Sequence, residues 1–96
     1  MQYQKNKYRL EVELPGDFNL NSVRMISEEL GDRRNLHIDL SHAHFVNSKA
    51  IIFMHKFMFG EKNGKIRLKN PPKLFYELLQ TLGLHTTWNL DEIVEP

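Results

Sequence analysis

The chemically capable groups of this 96-residue chain are five histidines, a set of carboxylates and a few hydroxyls, with no cysteine. His42-x-His44 has the start of a zinc site, but no third and fourth ligand follow at a suitable spacing. Ser48, His55 and Asp39 are the residue types of a nucleophile, a base and an orienting acid. If the segment from Ser48 is helical, His55 sits about two turns further on, out of reach of the serine proton. Gly60 and Gly64 bracket Glu61-Lys62-Asn63, which is not the spacing of a phosphate-cradling loop. Without cysteine there is no thiolate or disulfide chemistry. No catalytic residue, metal site or cofactor is therefore expected. Ser48 supports a different chemistry. A serine at a helix start either caps the helix or accepts a phosphate, whose charge the free N–H groups and the positive helix end stabilise.

Periodicity gives the elements that position these groups. Tyr8, Leu10, Val12 and Leu14 alternate with Lys7, Arg9, Glu11 and Glu13, which predicts a strand with one dry and one wet face. Gln2 to Gln4 reads as a short partner strand, with Lys5-Asn6 as the turn. Pro15-Gly16 ends the long strand. A helix capped by Asn21 or Ser22 follows, with Val23, Met25, Ile26 and Leu30 inward and Gly31 as its stop. Leu36, Ile38 and Leu40 alternate with His37 and Asp39 in a second long strand, and a polar loop leads to a helix from Ser48 to Phe59. Lys65 to Lys69 is a third strand with Ile66 and Leu68 inward. Asn70-Pro71-Pro72 starts a further helix with proline in its first turn. Leu74, Phe75, Leu78, Leu79 and Leu82 make its apolar face and Gly83 its cap. The tail, with Trp88, Leu90, Ile93 and Val94, reads as a short turn or strand.

Alternating strands and helices imply parallel, right-handed crossovers. Strands covered on both faces would be apolar throughout. All three long strands alternate instead, so Arg9, Glu11, Glu13, His37, Asp39, Arg67 and Lys69 must share an open face. The expectation is one α/β domain over residues 1–96, with two layers rather than the three of a doubly wound sheet. Hydrophobic residues at 41% and charged residues at 26% are ordinary for a globular chain. A net charge of +1 sets up no global field toward nucleic acid or an anionic membrane. No apolar run approaches the roughly 18 residues of a membrane span, and the opening MQYQKNKYRL lacks the apolar centre of a signal peptide. A cytoplasmic protein is expected. Residues 49–73 carry seven basic groups against one acid, while residues 77–96 carry four acids and no Lys or Arg. Those cations are either a solvated surface or a basic docking face.

At 100° per residue, Ala50, Ile51, Phe53, Met54, Phe57 and Met58 fall in one broad arc, the core side of the helix. Lys49 and Lys56 lie together on the polar side. Ser48, Ile52, His55 and Phe59 form a stripe directed away from the core. Such a stripe either packs under a neighbouring helix or presents a surface to a partner.

The run LHIDLSHAHFVNSKAIIFM from Leu36 to Met54 resembles the STAS domain of sulfate transporters and anti-sigma-factor antagonists. That family's pattern there is a strand, Asp-Leu-Ser, an apolar pair, then Asp-Ser-Ser-Gly entering a helix. Leu14-Pro15-Gly16-Asp17-Phe18-Asn19 is similar to its Leu-x-Gly-Glu-Leu-Asp, and Leu78 to Leu84 to its closing Leu-x-x-x-Gly-Leu. The three motifs cover about residues 7 to 90 in the family's order. The resemblance implies a mixed sheet of four or five strands with helices on one face. It implies a stand-alone bacterial regulatory domain without enzymatic activity, acting in signal transduction and transcription control. Family antagonists bind an anti-sigma-factor kinase around the Asp-Ser-Ser-Gly turn, and phosphorylation of its first serine breaks the complex. Ser48 aligns with that serine, so Phe45, Asn47, Ser48, Lys49, Ile52, His55 and Phe59 are the expected partner-binding residues. Asn47 stands for the family's Asp, Lys49 for its second Ser or Thr, Ala50 for its Gly, and Asn19 for a frequent Asp. At the switch turn the first two departures move the charge by +2, away from what a family kinase recognises, although Lys49 could pair with a phosphate on Ser48. The alternative is a non-phosphorylated STAS subunit of a membrane-transport or signalling assembly. A second copy of the chain could also use the stripe.

Overall fold

Leu10, Val12, Leu36, Ile38, Ile66 and Leu68 are buried on one side of a four-stranded sheet, and the residues between them face the other way. The computed structural model describes residues 1–95. Its strands are β1 (Gln2–Lys5), β2 (Arg9–Glu13), β3 (Asn35–Asp39) and β4 (Lys65–Lys69). They lie in the order β1-β2-β3-β4, with β1 antiparallel to β2 and the other three parallel. Helices α1 (Leu20–Leu30), α2 (Ser48–Phe59), α3 (Lys73–Thr81) and α4 (Leu90–Ile93) complete the chain. Ile26 and Leu30 of α1, the Ala50, Ile51, Met54, Phe57 and Met58 set of α2, and Phe75 and Leu79 of α3 enter the same core as the sheet. The opposite sheet face carries half-buried Arg9, Glu11, His37 and Asp39 with exposed Glu13, Arg67 and Lys69. These are the two layers that strand alternation implies.

Local chemistry moves several boundaries. The first long strand starts at Arg9, and Tyr8, expected inward, is 68% exposed. The reason is Asn6, whose Oδ1 accepts the N–H groups of Tyr8 (2.8 Å) and Arg9 (2.9 Å). That side-chain turn closes the β1–β2 hairpin without glycine. Asn19, not Asn21 or Ser22, caps α1, accepting the Ser22 N–H at 3.0 Å. Buried Ser22 donates its hydroxyl to the same cap oxygen at 3.1 Å. The two prolines precede α3 rather than opening it. Pro72 is its cap in an extended conformation, and Asn70 turns the chain at φ 52°. Leu82 ends α3 and is exposed, outside the expected apolar face. Gly83 follows at φ 72°; its N–H reaches Gln80 O (3.0 Å) and that of Leu84 reaches Leu79 O (2.8 Å), a paired C-terminal closure that suits glycine. The tail holds both expected forms. After α4, Val94 bridges Leu68 in parallel and the Glu95 N–H donates to Leu68 O at 2.9 Å, adding the start of a fifth strand.

The turn from α2 to β4 depends on close approach. Gly64 is buried, and a Cβ there would collide with the Phe57 ring, itself part of the core. Gly16 has open space around it. Gly64→Ala should therefore lose about 1–3 kcal/mol in denaturant unfolding through overpacking, whereas Gly16→Ala should sit within about 0.5 kcal/mol of the parent. Equal effects would remove the assigned role of Gly64.

Candidate functional site

The site lies where the parallel strands end and their loops gather. β3 stops at Asp39, whose Oδ1 accepts the backbone N–H of Ser41 (2.9 Å) and its hydroxyl (2.5 Å), turning the chain. Asn70, in the loop after β4, donates its side-chain amide to Ser41 Oγ at 2.9 Å and ties the two loops together. Ala43 and Val46 are buried and hold the loop down from within. From the β2 side, Phe18 and Val46 form a parallel bridge: Phe18 N–H donates to Phe45 O (3.0 Å) and Asn47 N–H to Phe18 O (2.8 Å). Asp17 Oδ1 accepts the N–H groups of both His44 (2.9 Å) and Phe45 (3.0 Å). One carboxylate and one bridge thus fix the approach to α2.

Asn47 is the residue that caps α2. Its backbone is extended and its Oδ1 accepts the Lys49 N–H at 2.8 Å. Ser48 is the first helical residue, not the cap, and is exposed. The carboxamide of Asn47 occupies the position that a cap hydroxyl would take. Capping, one of the two roles that the sequence offered Ser48, therefore falls to Asn47.

The expected partner-binding residues divide by environment. Phe45 (48% exposed), Ile52 (42%) and Phe59 (53%) stand out as large exposed apolar side chains, with exposed Ser48 and Lys49 beside them. Asn47 is half-buried and its side chain is engaged in the cap. His55 is also half-buried; its Nδ1 accepts the indole N–H of buried Trp88 at 3.0 Å, which places its own proton on Nε2. Its ring lies parallel to that of Trp88 and 4.8 Å from that of Phe59. His55 is therefore the seam between the stripe and the tail. Leu20, exposed at the first position of α1 two residues past Phe18, flanks the same bridge. It has no periodicity signal, since Arg24 and Ser27, four and seven residues on along the same side of the helix, are polar. Trp88 lies 33 residues from His55, and no local pattern announces that pairing. Asp17 had a signal, an acid directly after the strand-ending Pro-Gly.

Ser48, His55 and Asp39 do not converge as a catalytic group: His55 Nδ1 is engaged by Trp88 and Asp39 Oδ1 by Ser41. His42 and His44 lie in the exposed part of the loop. Among the described residues no three His, Asp or Glu side chains gather as a metal would require. Among the described residues, no helix is long and apolar enough to cross a membrane.

On the open sheet face two groups, Asp39 and His37, titrate away from their ordinary values. The hydrogen bond from the Ser41 hydroxyl holds the Asp39 carboxyl below its ordinary 3.8, helped by the Ser41 N–H, Lys69 and His42 against the effect of burial. Burial first, then Arg9, pushes His37 below 6.5, although Glu11 stands 3.8 Å away and favours the charged ring. The half-exposed Glu11 is shared with Arg9, so burial prevails.

Three parallel strands, an antiparallel edge strand and helices on one side make this a STAS-like α/β fold. No family model matches the sequence, and no curated protein matches it. Among solved structures the chain is similar to the anti-sigma factor antagonist SpoIIAA in its unphosphorylated form. The TM-score is 0.65 at 14% identity, over 98% of this chain and 84% of that one. At that identity the likeness establishes the fold.

Two outcomes test the positioning network. Asp17→Ala removes one acceptor from two amides, so stability should fall by about 1–2 kcal/mol, and the amides of His44 and Phe45 should exchange faster with solvent. Unchanged exchange would show that the carboxylate does not hold the loop. Both shifted groups take up protons in the unfolded chain before the folded one, so stability must fall as pH drops, first below 6.5 for His37 and then below 3.8 for Asp39. Ser41→Ala should flatten the lower segment of the stability-against-pH curve and leave the upper one alone.

Proposed function

We propose that the protein is a non-enzymatic regulatory domain of the anti-sigma-factor-antagonist type, which docks a protein partner through the 41–47 loop and the outer face of α2. The observation that carries this reading is the exposure of Phe45, Ile52 and Phe59 together, beside Ser48 and on a loop fixed by Asp17 and the Phe18–Val46 bridge. Exposed apolar anchors on a rigid support are the makings of an interface. The likeness to an anti-sigma factor antagonist supports the regulatory class, and the partner of such a domain is an anti-sigma-factor kinase or an equivalent signalling subunit. The separation of Ser48, Asp39 and His55 supports a role without turnover. We place the protein in the bacterial cytoplasm.

Phosphorylation of Ser48 switches the docking. Ser48 is exposed at the positive end of α2 and its hydroxyl is not needed for the cap. A phosphate there adds roughly −1.5 to −2 charges next to the stripe. A second reading is favoured by Lys49, whose cation occupies the turn where an acidic, hydroxyl-rich sequence is expected. In that reading the domain is a constitutive docking subunit of a membrane-transport or signalling assembly.

Substitutions separate the two. Ile52→Asp and Phe59→Asp should each weaken capture of the partner isolated on the parent protein by about tenfold or more, with unfolding stability within about 0.5 kcal/mol. Full binding by both variants would sink the docking face. Ser48→Asp should mimic the phosphorylated state and release the partner; retained binding, with unmodified Ser48 in mass spectra of protein from the native source under switching conditions, would select the constitutive subunit.

A further inference from the structure

The twelve residues of α2 contain no carboxylate. Its exposed side carries Lys49 and Lys56 instead, both exposed and about 20° apart around the helix axis, along one flank of Ile52 and Phe59. Most other cations near the helical layer have internal work. Lys5 pairs with Glu29, Arg24 donates to Asn21, Arg33 donates to the carbonyls of Asn6, Glu29 and Leu30, and Lys62 donates to Gly31 O. Among the described residues, neither Lys49 nor Lys56 joins an ion pair. Lys49 also stands in the first turn, where the positive helix end disfavours a cation. Lys56, in the last turn, is favoured by the negative helix end, but the fold gains nothing evident from the charge of Lys49.

We infer that the docking face takes an acidic amphipathic segment of its partner. Apolar side chains would seat on Ile52 and Phe59, and carboxylates would run alongside against Lys49 and Lys56. This inference rests on the docking reading of that face and adds the chemistry of the occupant. An apolar stripe at the centre and cations on one flank suit an amphipathic peptide. A nucleic acid or an anionic membrane calls for a broader cationic field, and the chain's net charge is only +1. The same chemistry gives a modification at Ser48 its sign. A phosphate at the head of the stripe neutralises Lys49 and repels an acidic occupant.

The test uses the full chain and two synthetic amphipathic peptides of about 18 residues with the same leucine stripe, one flanked by glutamate and the other by lysine. Amide shifts should be confined to Phe45 and residues 48–59. The acidic peptide should bind at least about tenfold more tightly at about 50 mM salt and lose most of that advantage near 500 mM. K49E/K56E, two exposed changes checked for folding by circular dichroism, should reverse the order, and Ser48→Asp should weaken the acidic peptide alone. Equal affinities at low salt, or an unchanged preference in K49E/K56E, overturn the acidic partner; shifts that still map to residues 45–59 and vanish in Ile52→Asp leave the docking face standing. No shift with either peptide also overturns the inference, and the capture experiment with Ile52→Asp and Phe59→Asp then judges the docking face separately.

Discussion

A sheet with helices on one side leaves every helix a face with no strand against it, and that asymmetry governs the rest of this molecule. Burying Leu10, Val12, Leu36, Ile38, Ile66 and Leu68 takes one layer of helices, and the charged residues between them keep a second layer off the other face. α1 and α3 turn mostly polar residues outward. α2 has more apolar side chains than its core arc can hold, so Ile52 and Phe59 are left facing solvent. The exposed apolar stripe thus arises from ordinary two-layer packing with one helix too apolar for its position.

The loops do the positioning. Parallel strands deliver their carboxyl ends to one rim, and at this rim Asp39, Ser41 and Asn70 are linked in a chain of side-chain hydrogen bonds. Asp17 and the Phe18–Val46 bridge close the approach from the neighbouring crossover. The start of α2 is held from two sides before the helix begins. Asn47 then completes the cap and leaves Ser48 without a structural duty at the same terminus.

Much of the fold was legible in the sequence because strand alternation and helix periodicity are local and strong here. Residues 35–39, 48–59 and 65–69 were readable almost to their ends. The misplaced boundaries are those set by side chains bonding to the backbone. Asn6 makes a turn where Tyr8 continued the alternating pattern, and Asn19 caps α1 ahead of two equally suitable residues. Of the site, the helical wheel separated Ile52 and Phe59 from the core, but exposure itself needed the neighbouring helices in place. The bond from Trp88 to His55 joins residues far apart in the chain, and only the tertiary fold brings them together.

That bond has a consequence for observing the protein. Trp88 is the sole tryptophan of the chain, buried, and one hydrogen bond from a histidine on the edge of the exposed stripe. An indole is a fluorophore sensitive to its hydrogen-bond partner and its solvation. The molecule therefore carries an intrinsic optical gauge beside the exposed stripe of α2, readable without a label.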